Sequence, residues 1–126
     1  MAELRKVLHV DDDEDIRVIA KMSLEVVGDL AVHQCSSGMQ AINEADAAKP
    51  DLFLLDYMMP GMNGEETLRG LRQIPGLENV PVIFMTARVQ PDVSEALKRD
   101  GAIEVIAKPF DPMELCDQLR QAWARL

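Results

Sequence analysis

Basic charge is short in this sequence. Its 22 Asp and Glu outnumber 13 Lys and Arg, for a formal net charge of −9 over 126 residues. A nucleic-acid-binding domain carries a basic stripe or patch, so no nucleic-acid partner is expected. Long apolar runs are missing too. No stretch approaches the roughly 20 residues of a membrane span. The opening MAELRKVLHV has neither the apolar segment nor the cleavage site of a secretory leader. Cysteine is scarce. Cys35 and Cys116 are too few for a disulfide framework and show no metal-type clustering along the chain. Repeats, low-complexity tracts and long linkers are absent. These absences predict one reduced, cytoplasmic domain over residues 1–126, with one core and no membrane contact.

What is present is an alternation of short apolar runs and helical periods. Lys6–Val10 reads as a strand that stops on Asp11, Asp12 and Asp13. Ile16, Ile19, Ala20, Ser23, Leu24 and Val27 then recur at helical spacing, and Gly28 stops them. Leu30–Cys35 reads as a second strand. Ser37 and Gln40 form a capping-box pattern for a helix that ends before Pro50. Leu52–Leu55 is a buried strand running into Asp56. Asn63 and Glu66 repeat the capping logic for a third helix. Val82–Met85, ending on Thr86, is the fourth strand. Pro91 opens the next helix, where a missing N–H costs nothing, and Asp100-Gly101 closes it. Ile103–Ala107 is the fifth strand, ending on Lys108-Pro109. Asp111, Pro112 and Glu114 are expected to cap the last helix.

The pattern is (βα)5, which predicts a doubly wound α/β fold with a parallel sheet covered on both faces. The C-terminal ends of such strands share one edge, where open α/β sheets place their chemistry. Asp11, Asp12, Asp56, Thr86 and Lys108 all fall there. Carboxylates meeting in one cleft repel; two unit charges about 4 Å apart interact by roughly 4 kcal/mol at a mid-range effective dielectric. A hard cation with oxygen ligands relieves this, and Mg2+ is the usual one. Lys108 offers a point charge for phosphoryl oxygen and Thr86 a hydroxyl. Asp56 is then a nucleophile able to form an aspartyl-phosphate, because phosphoryl transfer needs mainly positioning and charge neutralisation.

VDDDEDIR at 10–17, LLDYMMPGMNG at 54–64, FMTA at 84–87 and KPF at 108–110 together resemble the response-regulator receiver domain, the CheY-like partner of histidine kinases. The four pieces lie in order, on the right elements, across essentially the whole chain. The resemblance implies strand order 2-1-3-4-5, a flavodoxin-like sheet and a receiver spanning 1–126 with no output domain. It makes Asp56 the phospho-acceptor, and Asp11 and Asp12 ligands of Mg2+ with the backbone carbonyl of Met58. Thr86 becomes the switch hydroxyl and Lys108 the phosphate-pairing lysine, with a cis bond before Pro109. It implies two-component phosphorelay signalling, not an enzyme, with a histidine kinase or phosphotransfer protein as donor. Docking falls around Ile16, Arg17, Pro109 and Phe110. A downstream protein target is implied, and the receiver itself is expected as a monomer or weak dimer. Met58 and Arg88 sit where the family tunes water access. The aromatic that many receivers carry three residues before the lysine is here Val105.

Other readings remain. A haloacid-dehalogenase-like phosphatase also uses a strand-end aspartate with Mg2+, but it wants a second aspartate where this chain has Met58. A flavin site would want a hydroxyl- and glycine-rich loop after the first strand, where Asp11–Asp13 would repel a phosphate. Asp13 is expected to cap the first helix. His9 reads as a packed core histidine. His33 shows no partner. Met58, Met59 and Met62 cluster beside the site, and most other methionines fall on core patterns. Trp123 stands one position off the last helix's apolar stripe and is expected to be partly exposed.

Overall fold

The computed structural model describes residues 3–87 and 90–126. Along the chain run β1 (Lys6–Val10), α1 (Glu14–Met22), a π-helical segment (Ser23–Val27) and β2 (Ala31–Cys35). Next come α2 (Gly38–Ala48), β3 (Leu52–Asp56), α3 (Gly64–Arg72) and β4 (Val82–Thr86). α4 (Pro91–Arg99), β5 (Ala102–Ala107) and α5 (Leu115–Ala124) complete it. The strands form one parallel sheet in the order β2-β1-β3-β4-β5, so the alternation and the implied order both hold. β2 and β5 begin one residue away from the expected starts, within ordinary end variation.

Successive strand residues point to opposite faces, which divides the core in two. Leu8, Val10, Phe53, Leu55, Phe84 and Val105 pack with residues of α2, α3 and α4. Val7, Leu52, Leu54, Ile83, Met85 and Ile106 pack with residues of α1 and α5. β3 and β4 are buried at every residue, as strands covered on both faces must be. No helix of the described residues is long and apolar enough to cross a membrane.

Side chains start three of the helices. Asp13 caps α1, accepting from the Asp15 N–H at 2.9 Å. Asn63 and Glu66 make the full reciprocal capping box of α3. Ser37 accepts from the Gln40 N–H, but the Gln40 side chain reaches back to the Ser36 N–H, one residue too far for a true box. Gly64 matters to the site. A Cβ there would lie 2.6 Å from the Asp56 carbonyl oxygen, so only glycine lets the start of α3 lie against the end of β3.

Four expectations need correction. The first helix does not stay α-helical to Gly28. The Gly28 N–H bonds back to the Ser23 carbonyl, a π-type turn that swings Val27 off the core stripe into solvent. Ile19, also placed on that stripe, is largely exposed. The last helix is not capped by Asp111, Pro112 and Glu114. The Asp111 carboxylate instead accepts the Met113 N–H at 2.8 Å, and that local turn delays the helix to Leu115. The methionines are less internal than expected: Met59 and Met85 are buried, whereas Met22, Met39 and Met113 stand exposed. Trp123 is half-buried against the α1/α5 core, as its position off the stripe suggested.

Candidate functional site

Parallel alternation carries Asp11, Asp56, Thr86 and Lys108 to the C-terminal ends of β1, β3, β4 and β5. Asp11, Asp56 and Thr86 are buried, and Asp12 faces solvent. One carboxylate oxygen from each of Asp11, Asp12 and Asp56 lies within 4.8 Å of the others. The acidic cluster read from the strand ends is therefore real in space.

Lys108 is the countercharge. Its Nζ lies 2.9 Å from Asp11 Oδ2 and 3.2 Å from Asp56 Oδ2. Burial alone would lower the lysine, but the two carboxylates outweigh it and hold the ammonium above its usual range. Burial, and then the Asp11 charge, push Asp56 up to about 6, against the opposing pull of Lys108 and the Met58 N–H. Asp11 Oδ1 accepts from the Asp13 N–H at 2.9 Å. Asp11 Oδ2 is buried and takes no well-formed hydrogen bond among the described residues; its partner there is the Lys108 charge. A buried, under-satisfied carboxylate oxygen facing two more carboxylates suits a hard cation with oxygen ligands. Thr86 is buried at the end of β4. Met58 holds its side chain out in solvent, 68% exposed, which leaves only its backbone near the acceptor. Lys108–Pro109 is cis, as the resemblance implied. Arg88 lies outside the described residues.

Residues 7–120 match the response regulator receiver domain model. The chain belongs to the response regulator receiver domain family. Sporulation initiation phosphotransferase F of Bacillus subtilis is 37% identical over 116 residues, covering 92% of this chain and 91% of that one. The nitrate/nitrite response regulator NarL of Escherichia coli is 40% identical over 119 residues, and this receiver spans only 54% of its length. The chemotaxis protein CheY4 of Vibrio cholerae superposes with a TM-score of 0.85 at 29% identity, covering 94% and 98% of the two chains. The receiver thus works in two-component phosphorelay signalling, in a family that does not consist of ordinary enzymes. Membership implies a kinase or phosphotransfer partner.

Three residues make contacts that were not read from the sequence. Arg17 donates from Nη1 to the Asp11 carbonyl at 2.8 Å, so it braces the acidic corner as well as facing outward. His9 is fully buried as expected, but it shares a network: its Nδ1 lies 3.0 Å from Gln34 Nε2, which also donates to the Arg17 carbonyl. Burial, then the Lys108 and Arg17 charges, drive His9 down to about 3, which keeps it neutral and unsuited to carry a phosphoryl group. His33, read as having no partner, pairs with Glu44 at 2.7 Å. A strand residue and a helix residue across a crossover give no spacing signal, so only the fold could reveal that pair.

Proposed function

We propose that Asp56 accepts a phosphoryl group from a histidine kinase or histidine phosphotransfer protein, with Mg2+ held by Asp11, Asp12, Asp56 and the Met58 carbonyl. The observation that carries this reading is the Asp11–Asp12–Asp56 cluster with Lys108 drawn into it. Bound there, Mg2+ would neutralise charge on the phosphoryl group and its acceptor. Asp56, ionised above about pH 6, bonds to phosphorus as the donor's P–N bond breaks. Lys108 then exchanges its Asp56 contact for a phosphoryl oxygen, and the Thr86 hydroxyl donates to another. The exposed apolar side chains of Val18 and Met22, beside Arg17, support a protein donor docking along α1, with Pro109 and Phe110 completing the face. The similarity to a sporulation phosphotransferase supports a relay role in the cytoplasm, with the switched surface read by a downstream protein.

A small-molecule phosphodonor with Mg2+ should add one phosphoryl group, stable in acid and labile in alkali as an acyl phosphate. Asp56→Asn should block it. Asp12→Ala should abolish Mg2+-dependent phosphorylation with the fold intact, since Asp12 is exposed. Mass spectrometry that placed the group on His9 or His33 would overturn the reading.

A further inference from the structure

A second group of ligand-type side chains sits away from the phosphorylation pocket. β2 is an edge strand, and His33 and Cys35 are two residues apart on it, so both side chains point to the same face. α2 packs on that face and contributes Glu44. His33 Nε2 lies 2.7 Å from Glu44 Oε1, and Cys35 Sγ lies 3.8 Å from the same oxygen. All three donor atoms fall within 4.8 Å of one another.

We propose that His33, Cys35 and Glu44 form a second divalent-metal site, selective for a borderline-soft ion of the zinc type and clipping the edge strand to α2. Imidazole, thiolate and one carboxylate are the donors that such an ion prefers, whereas Mg2+ wants oxygen alone. Two of the three donor separations are close to what is needed. Tetrahedral zinc places N and O ligands about 3.4 Å apart and S and O ligands about 3.6 Å apart. The sulfur–oxygen separation is nearly met as it stands. The His33–Glu44 separation must open by roughly 0.7 Å, which is the replacement of their hydrogen bond by two metal bonds. The cluster is also reachable. His33 and Glu44 are 35% and 40% exposed while Cys35 is buried, so three protein ligands would close the inner side and water would take the open one. Gln40, a hydrogen-bond partner of Glu44, would orient the carboxylate from outside the ligand set. Binding requires the Cys35 thiol to release its proton to solvent. Burial and the Glu44 charge hold that proton firmly in the metal-free protein, pushing the thiol up to about 12.

The test is a Co2+ titration of the whole protein in excess Mg2+, which occupies the oxygen-only pocket. Wild type should develop a near-ultraviolet thiolate-to-cobalt charge-transfer band that saturates at one ion per chain and is displaced by Zn2+. Cys116→Ser should keep the band and Cys35→Ser should lose it. His33→Gln and Glu44→Gln should each weaken binding by at least about tenfold. Absence of the band in wild type at millimolar Co2+ would leave only a hydrogen-bonded cluster and overturn the proposal. So would a band that survives Cys35→Ser. A wild-type spectrum without the band decides by itself, and the half-exposed His33 and Glu44 positions give variants that keep the core intact.

Discussion

Lys108 carries two duties that call for different partners. Before phosphorylation its ammonium stands between two buried carboxylates, at 2.9 Å from Asp11 and 3.2 Å from Asp56. Removing one member of a buried charge group leaves the others uncompensated, which typically costs about 3–5 kcal/mol. Asp56 softens that cost because it already titrates near 6 and can take up a proton. Lys108→Met should therefore destabilise the metal-free receiver by about 3 kcal/mol at neutral pH. Mg2+ should recover much of the loss, as it replaces the missing positive charge. Urea denaturation with and without Mg2+ measures both. A variant as stable as wild type without metal would show that the lysine is not balancing the pocket. The same residue explains why the site was legible early. A lysine, a threonine and aspartates at consecutive strand ends have one reason to be there, since the topology places those ends side by side.

At the scale of elements, α1 and the α4–β5–α5 face hold the less legible features. Arg17 was read only as a docking residue, yet it donates to the Asp11 carbonyl. Arg17→Glu should then slow phosphorylation from a small-molecule donor severalfold and slow a protein donor by about tenfold more, a further 1.4 kcal/mol or so of barrier. Equal slowing with both donors would leave Arg17 as a positioning residue alone. Side-chain-to-backbone bonds of this kind have no sequence signature. Neither does the π-helical turn at Ser23–Val27, because the apolar spacing there suits an α-helix equally well. Val105 was legible by position, and the structure gives it a setting. It is buried against the α2/α3/α4 core, opposite Phe84 on β4. A valine has no ring to exchange between solvent and interior, and its branched Cβ restricts rotation. Next to it, Glu104 pairs with Lys98 of α4 at 3.3 Å and with Arg125 beyond α5 at 2.8 Å, tying that face together. Beryllium fluoride should therefore perturb amide shifts strongly at Thr86 and Ala87, and weakly at Val105 and α5. Equal perturbation of both regions would show that the aromatic is dispensable.

Across the whole molecule, the site's electrostatics set how stability responds to acid. Asp56 titrates near 6 when folded against 3.8 unfolded. Its folded value is the higher one, so its contribution is fully present below 3.8 and is lost as pH rises through about 6. Carrying that charge at pH 7 costs on the order of 3 kcal/mol. Asp56→Asn should raise the stability of the metal-free receiver by about that much at pH 7, roughly 10–15 °C in Tm. His9 runs the other way. Its folded value of about 3 lies below the unfolded 6.5, so its contribution is present above 6.5 and is lost as pH falls towards 3. That loss is about 1.4 kcal/mol per pH unit. Between 6 and 3.8 the gain from protonating Asp56 offsets the loss from His9; below 3.8 that gain is complete and the loss is unopposed. Wild type in chelator should therefore hold a nearly flat stability down to about pH 4 and then fall steeply. Asp56→Asn lacks the offset, so it should begin higher, decline from about pH 6.5, and meet wild type near pH 4. The carboxylates held low elsewhere, such as Glu104 and Glu78, titrate alike in both proteins and cancel in the comparison. Two melting curves that stay parallel from pH 7 to pH 4 would mean that Asp56 carries no raised proton affinity. The metal-free pocket would then carry no charge penalty at Asp56 for a cation to relieve.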